Sequence, residues 1–477
     1  MRNLIHCGST GVLAMLLLML VTTQALASDQ SGAEAANSQP KSAPKGQASK
    51  PILPPAKAYG DFSKERVEYG RYLTLAGDCL GCHLRPGGKP FEGGLALDTP
   101  FGTIYSPNIT PHKGEGIGSF SDKDFLRALQ HGIGPDGKPY YPALPYPSFT
   151  KVKDDDLLAI KDYLFSLEPS DYRPPETQLR WPFDIRDSLF GWQELYLTDK
   201  RFQPDTSKSE EWNRGAYLVE GLGHCGSCHT PRNLAGATEA KDALTGAVID
   251  GWYAPNLTSE LGDGLGAWSL DALIAYLRTG EAPPSGSPKD SAAGSTADSQ
   301  SGVQAGTQAG TQGGPGTAAL GPMAEVVHLS LSHLADSDVR AIAVYLKDQP
   351  PKQAPRQTPK VPYQLSEQDY IQGRKLYQHY CAGCHQSHGQ GLAPYFPALG
   401  GNEVVNLDEP NDVVNTILLG APSDPTEAFS PHVVMPSFGS LLNDTQLSIL
   451  ASYIRANWGN DAPPVTAKQV SKLRSGD

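Results

Sequence analysis

Six of the seven cysteines fall into three copies of one five-residue frame: Cys79-Leu-Gly-Cys82-His83, Cys225-Gly-Ser-Cys228-His229 and Cys381-Ala-Gly-Cys384-His385. Two thiols at this spacing can add across the two vinyl groups of a haem. The adjacent histidine then reaches the iron from the same loop, so the frame reads as a c-type attachment site. Zinc sites also use CxxC pairs, but their second pair follows within roughly 15–20 residues. Here the pairs begin at residues 79, 225 and 381. A redox dithiol would need neither the histidines nor the copies. Three covalently bound haems c therefore use every cysteine except Cys7, which sits in the N-terminal leader, and no disulfide is expected.

A haem that transfers electrons usually holds a second axial ligand, and a thioether sulfur stabilises ferrous iron. Beyond the leader the chain has two methionines, Met323 and Met435. Met435 follows Cys381 by 54 residues; Met323 follows Cys225 by 98, or by 60 once the low-complexity stretch 281–318 is discounted. Both are expected to be distal ligands. The matching place in the first copy is Leu144, in "YPALPYPSF", and leucine has no atom that can bind iron. Haem one is then open or weakly ligated, or is bound by His112 or His131. Those histidines align with Glu260 and Thr279 of the second copy, neither a ligand position, so the open iron ranks first.

The elements that must position these residues repeat as well. A helical segment with a glycine and nearby aromatics precedes each CxxCH: "VEYGRYLTLAGDC", "WNRGAYLVEGLGHC" and "YIQGRKLYQHYC". Another amphipathic helix follows each distal position, starting at Asp or Asn and carrying Tyr163, Tyr345 or Tyr453 as core residues. Units one and two also share "SPNITP" and "APNLTS", whose asparagines read as turn formers.

A length of 477 residues suits two to four domains. Residues 1–27 read as a signal peptide: Arg2, a short apolar run over 11–21, and small residues at 25–27. The chain divides into a disordered linker (28–58), domain 1 (59–170), an interdomain segment (171–210), domain 2 (211–350, with the insertion 281–318), a linker (351–365), domain 3 (366–460) and a C-terminal tail (461–477). The interdomain segment carries Trp181, Phe183, Leu189, Phe190, Trp192 and Tyr196. They read as a domain-docking cluster, with a partner or bilayer surface as the other reading. A formal net charge of −12 argues against nucleic acid as a partner.

With these words in place, "FGTIYSPNITP", "YPALPYPSFTK", "EWNRGAYLVEGLGHCGSCHTPRN", "FPALGGN" and "MPSFGSLL" carry a resemblance over about residues 59–466. The chain resembles the tri-haem cytochrome c subunit of bacterial periplasmic, membrane-associated dehydrogenase complexes of the alcohol, gluconate, fructose, sorbitol and aldehyde type. The resemblance implies an all-α fold of three tandem class I-like cytochrome c domains joined by irregular linkers. It implies an electron-transfer subunit, not an enzyme on its own, without catalytic residues. The implied partners are a dehydrogenase catalytic subunit and, as acceptor, ubiquinone or a terminal oxidase. The implied place is the periplasm, on the periplasmic face of the inner membrane with peripheral association. Family roles fall on Cys79, Cys82 and His83, on Cys225, Cys228, His229 and Met323, and on Cys381, Cys384, His385 and Met435. The family pattern has methionine where this chain has Leu144. The alternative function is an open catalytic or ligand-binding haem one for a small oxidant or a sulfur or nitrogen oxyanion, with His112 or His131 as acid/base.

Overall fold

The structure is a computed structural model that describes residues 52–56, 62–282, 317–353, 365–392, 395–421 and 434–476. The expected signal peptide, most of the linker 28–58, most of the insertion 281–318 and most of the joint 351–365 lie outside the described residues.

Unit one opens with α1 (Lys64–Ala76), capped by the Ser63 hydroxyl, which accepts from the Arg66 amide at 3.2 Å. The attachment helix α2 (Cys79–His83) follows, then β1 (Ala96–Thr99), β2 (Gly102–Tyr105), α3 (Asp122–His131), α4 (Tyr146–Phe149) and α5 (Asp154–Phe165). The chain then forms β3 (Gln178–Leu179), which pairs antiparallel with β2, and α6 (Ser188–Tyr196).

Unit two repeats the plan with α7 (Glu210–Tyr217), a π-helical turn at Leu218–Leu222, α8 (Gly226–His229), β4 (Ala247–Ile249) and β5 (Trp252–Ala254). It continues with α9 (Leu270–Thr279), β6 (Glu281–Ala282), β7 (Thr317–Ala318), α10 (Gly321–Leu329) and α11 (Asp336–Lys347). Unit three has α12 (Glu367–Tyr380), α13 (Ala382–His385), α14 (Glu403–Asn406), α15 (Asn411–Leu419), α16 (Asp444–Arg455) and α17 (Ala467–Ser475).

In every unit the first long helix crosses the last at a glycine. A Cβ on Gly70 would overlap the Ala159 carbonyl, and one on Gly215 the Ala341 carbonyl; one on Gly373 would lie 2.5 Å from the Tyr453 Cβ. The backbones approach closely because no side chain separates them. Tyr163, Tyr345 and Tyr453 pack beside the three glycines and are buried, the core role expected of them.

Several expectations need correction. Helices make up most of the regular structure among the described residues, but three small antiparallel sheets accompany them. One of them, β4–β5, closes through Asp250 and Gly251, both at positive φ (54° and 76°), a two-residue hairpin turn. The linker assigned to 28–58 is not wholly structureless: Leu53 is buried in the unit-one core, and the Tyr163 hydroxyl donates to the Pro54 carbonyl at 2.7 Å. The tail at 461–477 contains α17, which buries Val470 against α15 and α16 and bonds Asp444 through Arg474 at 2.7 Å. The segment 171–210 does join units one and two, by polar bonds as well as by ring contacts. Trp192 Nε1 donates to the Ala235 carbonyl (2.9 Å), and Gln193 to the His131 carbonyl (3.0 Å). Trp181 and Leu195 stay outward, at 79 % and 75 % exposed, while Trp192 sets its ring against Tyr146 of unit one and Phe202 against Tyr217 of unit two. No helix among the described residues is long and apolar enough to cross a membrane.

Candidate haem sites

The three CxxCH histidines occupy equivalent settings. His83 Nδ1 lies 2.7 Å from the Pro107 carbonyl oxygen, His229 Nδ1 2.7 Å from that of Pro255, and His385 Nδ1 3.0 Å from that of Pro397. A carbonyl only accepts, so the proton sits on Nδ1 and the Nε2 lone pair is left for a metal. Burial lowers the His83 pKa to about 4 and lowers His229 and His385 in the same direction, against the opposing pull of each proline carbonyl. A neutral imidazole with a fixed ring is the form that ligates iron.

The proline carbonyls are held in turn. The Asn108 side chain accepts from Thr110 N at 2.9 Å and donates to the carbonyls of Ser170 and Tyr172, both at 2.9 Å. Asn256 accepts from Thr258 N at 2.8 Å and donates to the Lys352 carbonyl at 2.8 Å. Both asparagines form turns, as expected, and also clip the loop to the chain beyond the unit's last helix. In unit three Asn460 plays this part, donating to the Leu399 carbonyl at 2.9 Å.

A redox dithiol needs a depressed pKa, whereas Cys79, Cys82, Cys225, Cys228 and Cys381 are all shifted upward. Burial pushes Cys79, Cys82, Cys225 and Cys381 up to about 12. The attachment segments of units one and two also adjoin. A Cβ on Gly77 would lie 3.4 Å from Leu222 Cδ1 and 3.5 Å from Cys79 Sγ, and α10 of unit two lies against α2 of unit one. Half-buried His224, next to Cys225, sets its ring edge-on to Phe149 of unit one at 5.6 Å.

Ahead of the expected distal positions, α3 and α9 both end in a left-handed glycine, Gly132 (φ 62°) and Gly280 (φ 74°). The Gly132 carbonyl accepts from Tyr140 N, and the Gly280 carbonyl from Ala319 N, each at 2.6 Å. Four residues beyond these anchors stand Leu144 and Met323. Each amide donates to the carbonyl three residues back, Leu144 to Tyr141 (3.2 Å) and Met323 to Leu320 (3.1 Å). In unit three Gly420 (φ 79°) ends α15, and Ala421 exchanges both backbone bonds with Met435 at 3.0 and 3.1 Å.

His112 and His131 are engaged elsewhere. His112 Nδ1 accepts from Glu115 N at 2.9 Å and Gly114 N at 3.3 Å, closing its own turn. His131 Nδ1 lies 3.7 Å from Asp199 on the surface, where Asp199 also bonds Arg201 and Thr150.

Known proteins are similar to this chain in sequence. The cytochrome c family model matches residues 370–458. The gluconate 2-dehydrogenase cytochrome c subunit of Pantoea cypripedii is 38 % identical over 431 residues, covering 86 % of this chain and 90 % of that protein. The chain belongs to the family of cytochrome c subunits of dehydrogenases. The fructose dehydrogenase cytochrome subunit of Gluconobacter japonicus is 35 % identical over 437 residues (86 % of this chain, 83 % of that one). The cytochrome c subunit of the quinone alcohol dehydrogenase of Gluconobacter oxydans is 34 % identical over 432 (87 % and 83 %). As a cytochrome c, the chain carries covalently bound haem c, and its family comprises electron-transfer subunits rather than catalytic ones.

Two parts of the sites escape sequence reasoning. The proline carbonyls that orient the histidines are backbone groups, and their only mark in the sequence is a Pro before Asn or Ala at an irregular distance. The contacts that join units one and two pair residues far apart in the chain, such as Tyr72 with Asp338, and no local pattern marks them.

Proposed function

We propose that this cytochrome c subunit binds three haems and relays electrons from a periplasmic dehydrogenase subunit, for an alcohol, a sugar acid or polyol, or an aldehyde, toward ubiquinone or a terminal oxidase. The observation that carries the reading is the thrice-repeated pairing of a CxxCH histidine with a fixed proline carbonyl. Haem c supplies one-electron redox chemistry. The chain's residues set where it happens: Cys79 and Cys82, Cys225 and Cys228, Cys381 and Cys384 hold the groups. His83, His229 and His385 would ligate the iron, and Met323 and Met435 would supply the second ligand in units two and three.

The adjoining attachment segments of units one and two support transfer between them. The outward apolar side chains of 181–196 support a docking face for the dehydrogenase subunit and peripheral contact with the inner membrane. No observation favours a catalytic haem one using His112 or His131 as acid/base, because both rings serve other partners.

The test is to isolate the holoprotein from the periplasm with whatever dehydrogenase accompanies it. Three haems per chain by mass and alkaline pyridine spectrum, all reduced on adding the partner's substrate, are expected. Fewer than three haems, or no reduction by any copurifying dehydrogenase, overturns the reading.

A further inference from the structure

We propose that unit one holds its haem five-coordinate, with Leu144 in the distal ligand's place, and that the open iron is a binding site for a small neutral diatomic ligand such as carbon monoxide. This rests on the three-haem reading above.

The backbone carries the inference. Leu144 and Met323 each stand four residues beyond a residue that a 2.6 Å bond anchors to a left-handed helix-ending glycine, and each amide donates to the carbonyl three residues back; Met323 lies in the first turn of α10 and Leu144 two residues before α4. The chain is built alike from the anchoring bond up to this residue, and there the side chains differ: a thioether sulfur in unit two and a branched hydrocarbon in unit one. Leu144 is partly buried and packs on the core, which holds it at that place.

The two nearby histidines do not substitute. Because His112 Nδ1 accepts two backbone N–H groups, a neutral ring carries its proton on Nε2 and keeps no lone pair for iron. His131 faces the surface carboxylate of Asp199, with its side chain 36 % exposed. The leucine side chain itself offers no hydrogen bond to a bound anion, so the position favours an uncharged ligand.

The experiment uses the full holoprotein with its haems counted first. The dithionite-reduced protein is titrated with carbon monoxide, and the ferric protein is examined for a high-spin signal. Uptake by about one haem per chain and one high-spin component are expected. Leu144→Met should remove both, reducing uptake at least tenfold, whereas His112→Ala and His131→Ala should leave them unchanged. Three haems with no uptake and an all-low-spin spectrum overturn the open site alone. Uptake that rises in either histidine variant overturns it in favour of that histidine as ligand. Fewer than three haems overturns the underlying reading instead, and a chain without haem at Cys79 and Cys82 overturns both.

Discussion

Units one and two meet each other in a way that unit three does not share. In unit one the Asp156 carboxylate, at the third position of α5, accepts from Tyr69 of its own unit (3.0 Å) and from Tyr217 of unit two (2.5 Å). In unit two Asp338, at the third position of α11, accepts from Arg214 of its own unit (2.9 and 2.7 Å) and from Tyr72 of unit one (2.6 Å). Counted from the crossing glycines, Tyr72 and Tyr217 are equivalent, as are Asp156 and Asp338, so the clasp is reciprocal. A single hydrophobic cluster runs through both units, whereas unit three has its own.

The same positions in unit three are Lys375 and Gln446. Gln446 turns back to cap its own helix, accepting from Asn443 N at 3.1 Å while Asn443 accepts from Gln446 N at 2.9 Å. The N-caps of α5 and α11 are Lys153 and Ala335, which make no side-chain cap bond, so their acidic residues are free to reach across an interface. Unit three docks on unit two through another set. Tyr253 N donates to Asp412 (2.7 Å), Trp268 Nε1 donates to Glu403 (3.2 Å), and Asn411 and Asn415 donate to the Gly251 carbonyl (3.0 and 2.9 Å). One interface is a clasp of buried ionised groups with tyrosines, and the other presses carboxylates into a poorly solvated seam.

The largest break in this comparison is Asp338→Ala. It strands the Arg214 guanidinium and the Tyr72 hydroxyl, and should cost about 3 kcal/mol in denaturant unfolding of units one and two. Gln446→Ala, losing a cap, should cost unit three only about 1 kcal/mol. Burial works against the Asp338 charge, but Arg214 and Tyr72 outweigh it and lower its pKa. Its contribution is therefore present at neutral pH and is lost only as pH falls below about 4.

Next come the crossings. Gly70→Ala and Gly215→Ala should each cost about 1–3 kcal/mol by overpacking, seen as a lower denaturant midpoint. Gly373→Ala should behave alike, because the crossing is common to all units. A unit that tolerates the change would show that its crossing is looser than the others.

The seam between units two and three should respond to pH in the opposite sense from the clasp. Burial raises Glu403 to about 7, opposed by the Trp268 bond and helped by Asp263, and raises Asp412 to about 6 against the Tyr253 bond. Asp408, Glu409 and Tyr276 also face this region. Carboxyls raised in the docked state favour docking while protonated. That advantage is present below the ordinary carboxylate range and is lost as pH rises through about 6 to 7. Small-angle scattering should show the protein extending over that interval, and Glu403→Gln with Asp412→Asn should flatten the change.

The smallest effects test reciprocity. Tyr72→Phe and Tyr217→Phe should each cost about 1 kcal/mol, and by similar amounts. Unequal losses would show that the clasp is symmetric in geometry but not in strength.

Much of the site was legible because its chemistry is local. A thiol pair and a histidine within five residues must share a loop, and glycines before them must mark close helix approach. The methionines could be placed by counting, since Leu144, Met323 and Met435 precede the helical tyrosine of their units by similar spacings of 19, 22 and 18 residues. The hairpin at β4–β5 was signalled by Asp250-Gly251, and an all-α reading passed over it. The ordered Leu53 and the helix α17 were hidden by polar, proline-rich surroundings, although Leu53 and Val470 each supply one apolar side chain that a neighbouring core buries.

By itself, then, the sequence determined which groups could hold haem, how many attachment frames exist, and that unit one lacks a distal sulfur. Covalent spacing and side-chain chemistry suffice for that. Only the tertiary structure decided which carbonyls orient the histidines, and that Leu144 and Met323 each stand four residues beyond an anchored residue. It also decided that units one and two clasp each other while unit three docks separately. Those outcomes depend on backbone groups and on side chains brought together from distant parts of the chain, which no local pattern records.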